Sequence, residues 1–167
     1  WAFEPEVDTF AKNAVLDLRY LNEKTAGESG FIKAVGDEFQ LGNGKPVRFW
    51  AVNTGHGICA ADDATIELTA ARWAKLGINL VRIHGGMFDR NGADPTKIDE
   101  RQLQRFLHVV QAFKKQGIYT HVSHFFPLWM ELKPSDGIKD AAMGKNPMAI
   151  LFFESRMQEI YRAWVKQ

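Results

Sequence analysis

The sequence predicts an α/β fold in which parallel strands are joined by helices. Residues 78–84 form a largely aliphatic run of the kind that forms buried strands, and residues 118–124 (Ile-Tyr-Thr-His-Val-Ser-His) are rich in the β-branched and aromatic residues typical of another strand. Between them, apolar residues recur at helical spacing over residues 103–113. Gly77 and Gly117 precede the two strands at equivalent corners, forty positions apart, and a histidine follows each glycine by seven positions. This alternation of strands and helices requires a parallel sheet with right-handed crossovers.

Residues 1–46 are predicted to form a separate N-terminal region, a polar lead-in followed by a β-hairpin. Alternation over residues 31–41 favours two short strands around a turn at Gly36-Asp37. Asn43-Gly44 then supplies the positive φ angles of a second tight turn. The chain continues into residues 47–53, a β-branched and aromatic run typical of a strand.

Residues 47–167 are predicted to form three strand–helix units. Each helix is preceded by a side chain that can accept hydrogen bonds from its first turn, and the predicted N-caps are Asp63, Asp99 and Ser155. Gly77 and Gly117 supply the C′ positions of the first two helices. The apolar stripe of the last helix is formed by Met157, Ile160, Tyr161 and Trp164.

Two architectures accommodate three such units: a complete small open α/β domain, or the first part of an eight-stranded (β/α)₈ barrel. A barrel of that kind typically needs about 250 residues, and the chain has 167. Gln167 falls in or just after a helix, and no return strand follows it. We therefore expect the N-terminal part of a (β/α)₈ barrel, truncated before the fourth strand.

Composition argues against several classes of protein. Twenty-one Lys and Arg against twenty Asp and Glu leave a formal charge of +1, whereas a nucleic-acid-binding domain has a basic excess. No apolar run approaches the roughly 20 residues that cross a bilayer, and Cys59 is the single cysteine. Gly55-His56-Gly57 lacks the third glycine and the acidic residue of a dinucleotide loop. No cofactor, nucleic acid or membrane partner is expected.

Three segments resemble glycoside hydrolase family 5 and its clan relatives. Residues 44–53 (Gly-Lys-Pro-Val-Arg-Phe-Trp-Ala-Val-Asn) are similar to the entry into that family's first barrel strand. Residues 76–84 (Leu-Gly-Ile-Asn-Leu-Val-Arg-Ile-His) resemble its second strand, and residues 115–119 (Lys-Gln-Gly-Ile-Tyr) the entry to its third. Residues 17–27 and 151–161 are similar to a cellulase-like bacterial branch. The resemblance covers nearly the whole chain in the family's order.

The resemblance implies a retaining enzyme that cleaves O-glycosidic bonds of a polysaccharide or oligosaccharide with two glutamates. The acid/base would follow an Asn at the end of the fourth strand, and the nucleophile would lie on the seventh. Asn22-Glu23 lies in the lead-in, before any barrel strand. The segment is therefore expected to contain no catalytic residue and to be inactive alone, with the carbohydrate and the remainder of the barrel as its partners. Export is expected from this function class alone.

Polar residues at the strand ends are the candidate cleft residues. Alternation places Arg82 and His84 on one strand face, and the resemblance places Arg82 inside the barrel, near its catalytic end. The Arg82 guanidinium can hold a carboxylate through a bidentate contact; a structural ion pair or a solvated charge is the alternative. His84 either hydrogen-bonds substrate or a catalytic carboxylate, or is a satisfied histidine of the wall. Asn53 either lines the cleft or forms a turn.

His124 and Trp129 complete the predicted substrate-binding set. The family's usual third-strand histidine aligns about one residue after His124, so its facing depends on the register. Trp129, in the loop after the third strand, is placed to stack on a sugar ring. His121 and His124 have an odd separation, which puts them on opposite faces of a strand, so no metal site is expected. The alternative to a hydrolase is a complete α/β domain that binds a ligand or partner at its strand ends without catalysis.

Overall fold

The computed structural model describes residues 7–11, 13–84, 87, 94–125, 127–139 and 145–167, with Trp129 described by its backbone alone. Within these ranges the chain forms two three-stranded sheets. The first is antiparallel, with its strands in sequence order: β1 (Lys33–Val35), β2 (Glu38–Gln40) and β3 (Pro46–Val47). The second is parallel and also in sequence order: β4 (Ala51–Thr54), β5 (Leu80–His84) and β6 (Tyr119–Ser123). The predicted α/β class is confirmed.

Two long helices, α2 (Asp63–Lys75) and α3 (Glu100–Lys115), connect the parallel strands and pack on one face of the sheet. Their inward residues join Val81 and Ile83 of β5 in one core: Ile66, Ala70, Ala74, Phe106, Val109, Ala112 and Phe113. The opposite face is exposed at the middle of each strand. The sheet is therefore wound in one direction with its crossing helices on one side, unlike doubly wound sheets, which have helices on both faces.

A short helix, α1 (Gly57–Ala60), follows β4, and two more, α4 (Pro147–Ile150) and α5 (Ser155–Val165), follow β6. The predicted stripe of α5 is confirmed at Met157, Ile160 and Trp164, which are all buried. The last turn of α5 lies at the C-terminal end of the sheet, since the Trp164 ring stacks on His124, which directly follows β6. The third strand–helix unit therefore differs from the first two, whose helices end at the opposite end of the sheet.

The N-caps of the helices follow the prediction in one case and shift by one residue in two. Asp99 accepts a hydrogen bond from the first turn of α3 at 3.1 Å, as predicted. The N-cap of α2 is Asp62 rather than Asp63, and that of α5 is Glu154 rather than Ser155. An N-cap residue needs an extended backbone. The predicted residues already lie inside their helices, and the residues before them are extended.

The predicted strand over residues 47–53 is divided between the two sheets, so this prediction was wrong. Pro46 and Val47 pair with β2, whereas Ala51–Thr54 pairs with β5. The Asn79 side chain bonds the chain between the two strands: its Oδ1 accepts from Trp50 N at 2.8 Å, and its Nδ2 donates to Arg48 O at 2.8 Å. The physical reason for the division is therefore a side chain far away in sequence.

The lead-in packs against the N-terminal end of the parallel sheet, at the ends of both long helices. Leu18 N donates to Lys75 O, and Ala26 N donates to Lys114 O, each at 2.9 Å. Both carbonyls belong to the last turns of α2 and α3, where helical carbonyls lack partners within their own helix. Asn22 Nδ2 donates to Ile78 O at 2.9 Å in the corner before β5. The lead-in thus ties together the ends of both long helices.

Glu23 joins the lead-in to β6. Its carboxylate accepts hydrogen bonds from the Tyr119 hydroxyl and from the backbone N–H groups of Gly27 and Ser29. Burial acts to raise the pKa of Glu23, but these hydrogen bonds outweigh burial, and the pKa is lowered. Burial, together with the contact to Glu23, raises the pKa of Tyr119 to about 12.

We expect Tyr119→Phe to lower the free energy of unfolding by about 1–2 kcal/mol at pH 7, because the hydroxyl donates to Glu23 and accepts from Gly27 N at 3.0 Å. The lowered Glu23 pKa stabilises the fold above its ordinary value of 4.5, and this contribution is lost as the pH falls through the folded value. The raised pKa of Tyr119 stabilises the fold at pH values below 10, its ordinary pKa. This contribution is lost as the pH rises through about 12.

Urea unfolding of both proteins between pH 3 and 11 measures this effect. The difference in free energy of unfolding between the parent protein and Tyr119→Phe should become smaller toward pH 3, because the Tyr119 hydroxyl helps to keep Glu23 ionised. Tyr161→Phe is the control, since that hydroxyl makes no hydrogen bond within the described residues. Identical pH profiles for Tyr119→Phe and the parent protein would contradict the assignment.

Candidate functional site

The exposed side of the parallel sheet carries polar side chains in two rows. The strand register pairs Asn53, Arg82 and His121 across all three strands, and it pairs His84 with Ser123 further along. Paired residues of parallel strands point to the same side of the sheet. These five residues are called the polar face below. The first row lies at the middle of the strands and the second, His84 with Ser123, at their C-terminal ends, where parallel α/β sheets bind their ligands.

Arg82 lies at the centre of the polar face and is exposed. Its Nε donates a hydrogen bond to Ser123 Oγ at 3.1 Å. Among the residues that the structure describes, this is the side chain's one hydrogen bond, and Arg82 belongs to no ion pair there. The terminal amino groups of the guanidinium thus retain donors for a planar anion. The expectation that Arg82 and His84 share a face is confirmed.

His84 is partly buried at the end of β5. Burial lowers its pKa, and the electrostatic effects of Arg82 and then of His121 lower the pKa further. The imidazole is consequently neutral at pH 7, with one nitrogen that donates and one that accepts. Such a group suits a hydroxyl ligand. The five positions of the polar face include no carboxylate, so the face carries positive charge from Arg82.

His124 does not belong to the polar face, and Trp129 is described by its backbone alone. His124 lies after the end of β6, and its ring stacks on Trp164 of α5, with the ring centroids 6.2 Å apart. Trp129 lies in a short 3₁₀ helix, Pro127–Trp129, and its side chain is outside the described residues. The strand register pairs His121 with Arg82, whereas the His124 ring stacks on Trp164. No cluster of three metal-ligating side chains is found among the residues that the structure describes.

His121 and Ser123 belong to the polar face but were not predicted as site residues. The equivalent corners at Gly77 and Gly117 suggest that His84 corresponds to His124. The observed register instead pairs His84 with Ser123. The correspondence of the two glycines therefore favoured His124 over Ser123. Because a difference of one residue reverses the side to which a strand residue points, it selected the wrong side of β6. The signal available in the sequence was the alternation Tyr119, His121, Ser123 along β6.

Arg105 of α3 fixes the loop that follows Asn53. Its Nε donates to Cys59 O at 3.1 Å, its Nη2 to Ala61 O at 2.6 Å, and its Nη1 to Asp63 Oδ1 at 2.8 Å. The two carbonyls lie at the end of α1, where no further helical turn provides donors. Arg105 therefore anchors the loop at the C-terminal end of β4, beside the polar face.

A surface cavity of about 490 Å³ lies at the opposite end of the sheet. Its lining includes Asp17, Arg19 and Glu23. Arg19 and Asp17 form an ion pair with each other, which holds the pKa of Asp17 at about 2. Glu23 is bonded to Tyr119 and the lead-in backbone. Because these charges already have partners, the polar face is the better candidate site.

The chain matches no protein-family model, and no curated protein sequence matches it. No helix in the described ranges has the length and apolar character needed to cross a membrane. Fold and site together define an α/β protein with a three-stranded parallel sheet and a polar face that extends from the middle of its strands to their C-terminal ends.

Proposed function

We propose that this chain is the N-terminal part of a retaining glycoside hydrolase with a (β/α)₈ barrel, acting on O-glycosidic bonds of a polysaccharide or oligosaccharide. The observation that carries the proposal is the polar face, which lies on the side of the sheet away from α2 and α3. In a (β/α)₈ barrel the face without helices is the interior, and residues at the strand ends line the active site. The sequence resemblance supports the same reading.

In this proposal each residue of the polar face has a role that suits its chemistry. Arg82 holds a catalytic carboxylate, supplied by a later strand, through a two-pronged contact. The neutral His84 and the Asn53 amide hydrogen-bond sugar hydroxyls. The catalytic glutamates are proposed to lie outside residues 1–167, so that the segment contributes part of the cleft without performing the reaction. Secretion would follow from the function class.

The test is the activity of the complete open reading frame that encodes this chain. We expect the full protein to hydrolyse aryl β-glycosides or β-linked glucans with retention, as followed by reducing-sugar release and by the anomer first formed. Residues 1–167 alone should show no turnover, because retention requires two carboxylates about 5 Å apart across the sugar. Turnover by the segment alone, or none by the full protein on any such substrate, would contradict the proposal. The second result would favour a binding domain.

Arg82→Lys in the complete enzyme should lower kcat about tenfold while leaving the melting temperature unchanged. Lysine keeps the positive charge but loses the planar fork that meets both carboxylate oxygens. Arg101→Lys is the matched control, since Arg101 is exposed on α3. A kcat within twofold of the parent value would remove Arg82 from the site.

A further inference from the structure

We infer that Ser123 is a positioning residue that orients the Arg82 guanidinium in the polar face. The inference rests on the proposed function. Its basis is the 3.1 Å hydrogen bond from Arg82 Nε to Ser123 Oγ, between side chains 41 positions apart in sequence. Ser123 pairs with His84 in the register, so its hydroxyl lies diagonally across from Arg82 on the neighbouring strand.

The bond to Nε determines which edge of the guanidinium remains for a ligand. A guanidinium has five N–H donors in one plane, and a carboxylate can bind either the Nε edge or the edge formed by the two terminal nitrogens. Ser123 occupies Nε. A carboxylate that meets Arg82 therefore uses Nη1 and Nη2. Ser123 thus selects one of two binding geometries and directs it away from β6.

Within the described residues, no other side chain competes for this orienting role. Asn53 and His121 flank Arg82 in the register, and the hydrogen bonds of Arg82 in this region reach neither of them. An arginine without such a contact samples many rotamers, and a poorly aligned fork stabilises an ionised carboxylate less effectively. Loss of the Ser123 hydroxyl should therefore act on the carboxylate through Arg82.

The experiment compares Ser123→Ala and Ser123→Thr in the complete enzyme, with an aryl β-glycoside as substrate. Ser123→Ala should lower kcat about fivefold with KM within twofold, as for a residue that acts in the transition state. It should also move the acidic limb of the kcat/KM profile up by about half a pH unit, because a less well-held carboxylate protonates more readily. Ser123→Thr restores the hydroxyl and should stay within twofold of the parent.

Thr120→Val is the matched control on the same strand. Thr120 lies on the helix side of β6, and its hydroxyl is buried with no hydrogen-bond partner among the described residues. This substitution removes a hydroxyl of the same kind without touching Arg82. A shift of the pH profile equal to that of Ser123→Ala would show a general effect of altering β6 and would overturn the inference.

Two further measurements make the inference specific. In the Arg82→Lys background, Ser123→Ala should cause no further loss of kcat, because the effects of substituting two residues that act as a unit do not add. A full additional fivefold loss would overturn the inference. The ¹⁵Nε resonance of Arg82, assigned by its absence in Arg82→Lys, should shift in Ser123→Ala and not in Thr120→Val. An unmoved resonance would refute the contact. This resonance reports on the contact even if the complete protein proves to have no glycosidase activity, which would refute the proposed function instead.

Discussion

Gly117→Ala is expected to lower the free energy of unfolding by about 3 kcal/mol or more, since a left-handed backbone and a steric overlap both act against it. Gly117 has φ of +75° at the corner between α3 and β6. A Cβ at this position would lie 1.9 Å from Glu23 O and 3.0 Å from Glu23 C. These are backbone atoms of the lead-in, which the hydrogen bonds around Glu23 and Ala26 hold against the sheet.

Two other glycines separate the backbone penalty from the overlap. Gly44 has φ of +85°, and a Cβ at this position would have no atom within 4 Å. Gly44→Ala should therefore lower the free energy of unfolding by about 1–2 kcal/mol, the penalty of the left-handed conformation alone. Gly77→Ala should fall between them, because its Cβ would lie 3.2 Å from Leu18 Cβ and 3.3 Å from Leu18 Cδ1, an overlap that a shift of a few tenths of an ångström relieves. Urea unfolding of the three variants gives the order. If Gly117→Ala is no less stable than Gly44→Ala, the lead-in does not pack as described.

Arg105→Ala is expected to lower the free energy of unfolding by about 2–3 kcal/mol, because two backbone carbonyls lose a charged donor. These are Cys59 O and Ala61 O at the end of α1. The ion pair with Asp63 adds little, since both side chains are partly exposed. The loop after Asn53 should loosen at the same time, since Arg105 is its link to α3.

Arg101→Ala and Asp63→Asn are the controls for Arg105. Arg101 is exposed on the same helix, so its loss tests the general effect of removing an arginine from α3. Asp63→Asn removes the ion pair and keeps both carbonyl contacts, so it should change stability much less than Arg105→Ala. Chemical unfolding measures stability, and hydrogen exchange of the amides of α1 measures the loop. Equal destabilisation by Arg105→Ala and Arg101→Ala would show that the carbonyl contacts contribute nothing.

Local signals predicted the elements whose structure depends on neighbouring residues. Helix α3 begins at its Asp99 cap and ends before Gly117 as expected, because both signals act within one turn of the helix. The cap of α2 was misplaced by one residue because Asp62 and Asp63 offer the same signal, and that of α5 because Ser155 is a preferred N-cap type whereas Glu154, which caps the helix, is not. The division of residues 47–53 was missed because it depends on Asn79, which is distant in the chain.

The sequence by itself determined the α/β class, the two long helices and the common facing of Arg82 and His84. All of these follow from periodicity within a single element. Tertiary structure alone decided which residues of different strands meet. The strand register is set by long-range backbone pairing, including the hydrogen bond from Tyr119 N to Asn79 O at 2.9 Å. That register places Ser123, rather than His124, beside Arg82, because a shift of one residue exchanges the two faces of a strand.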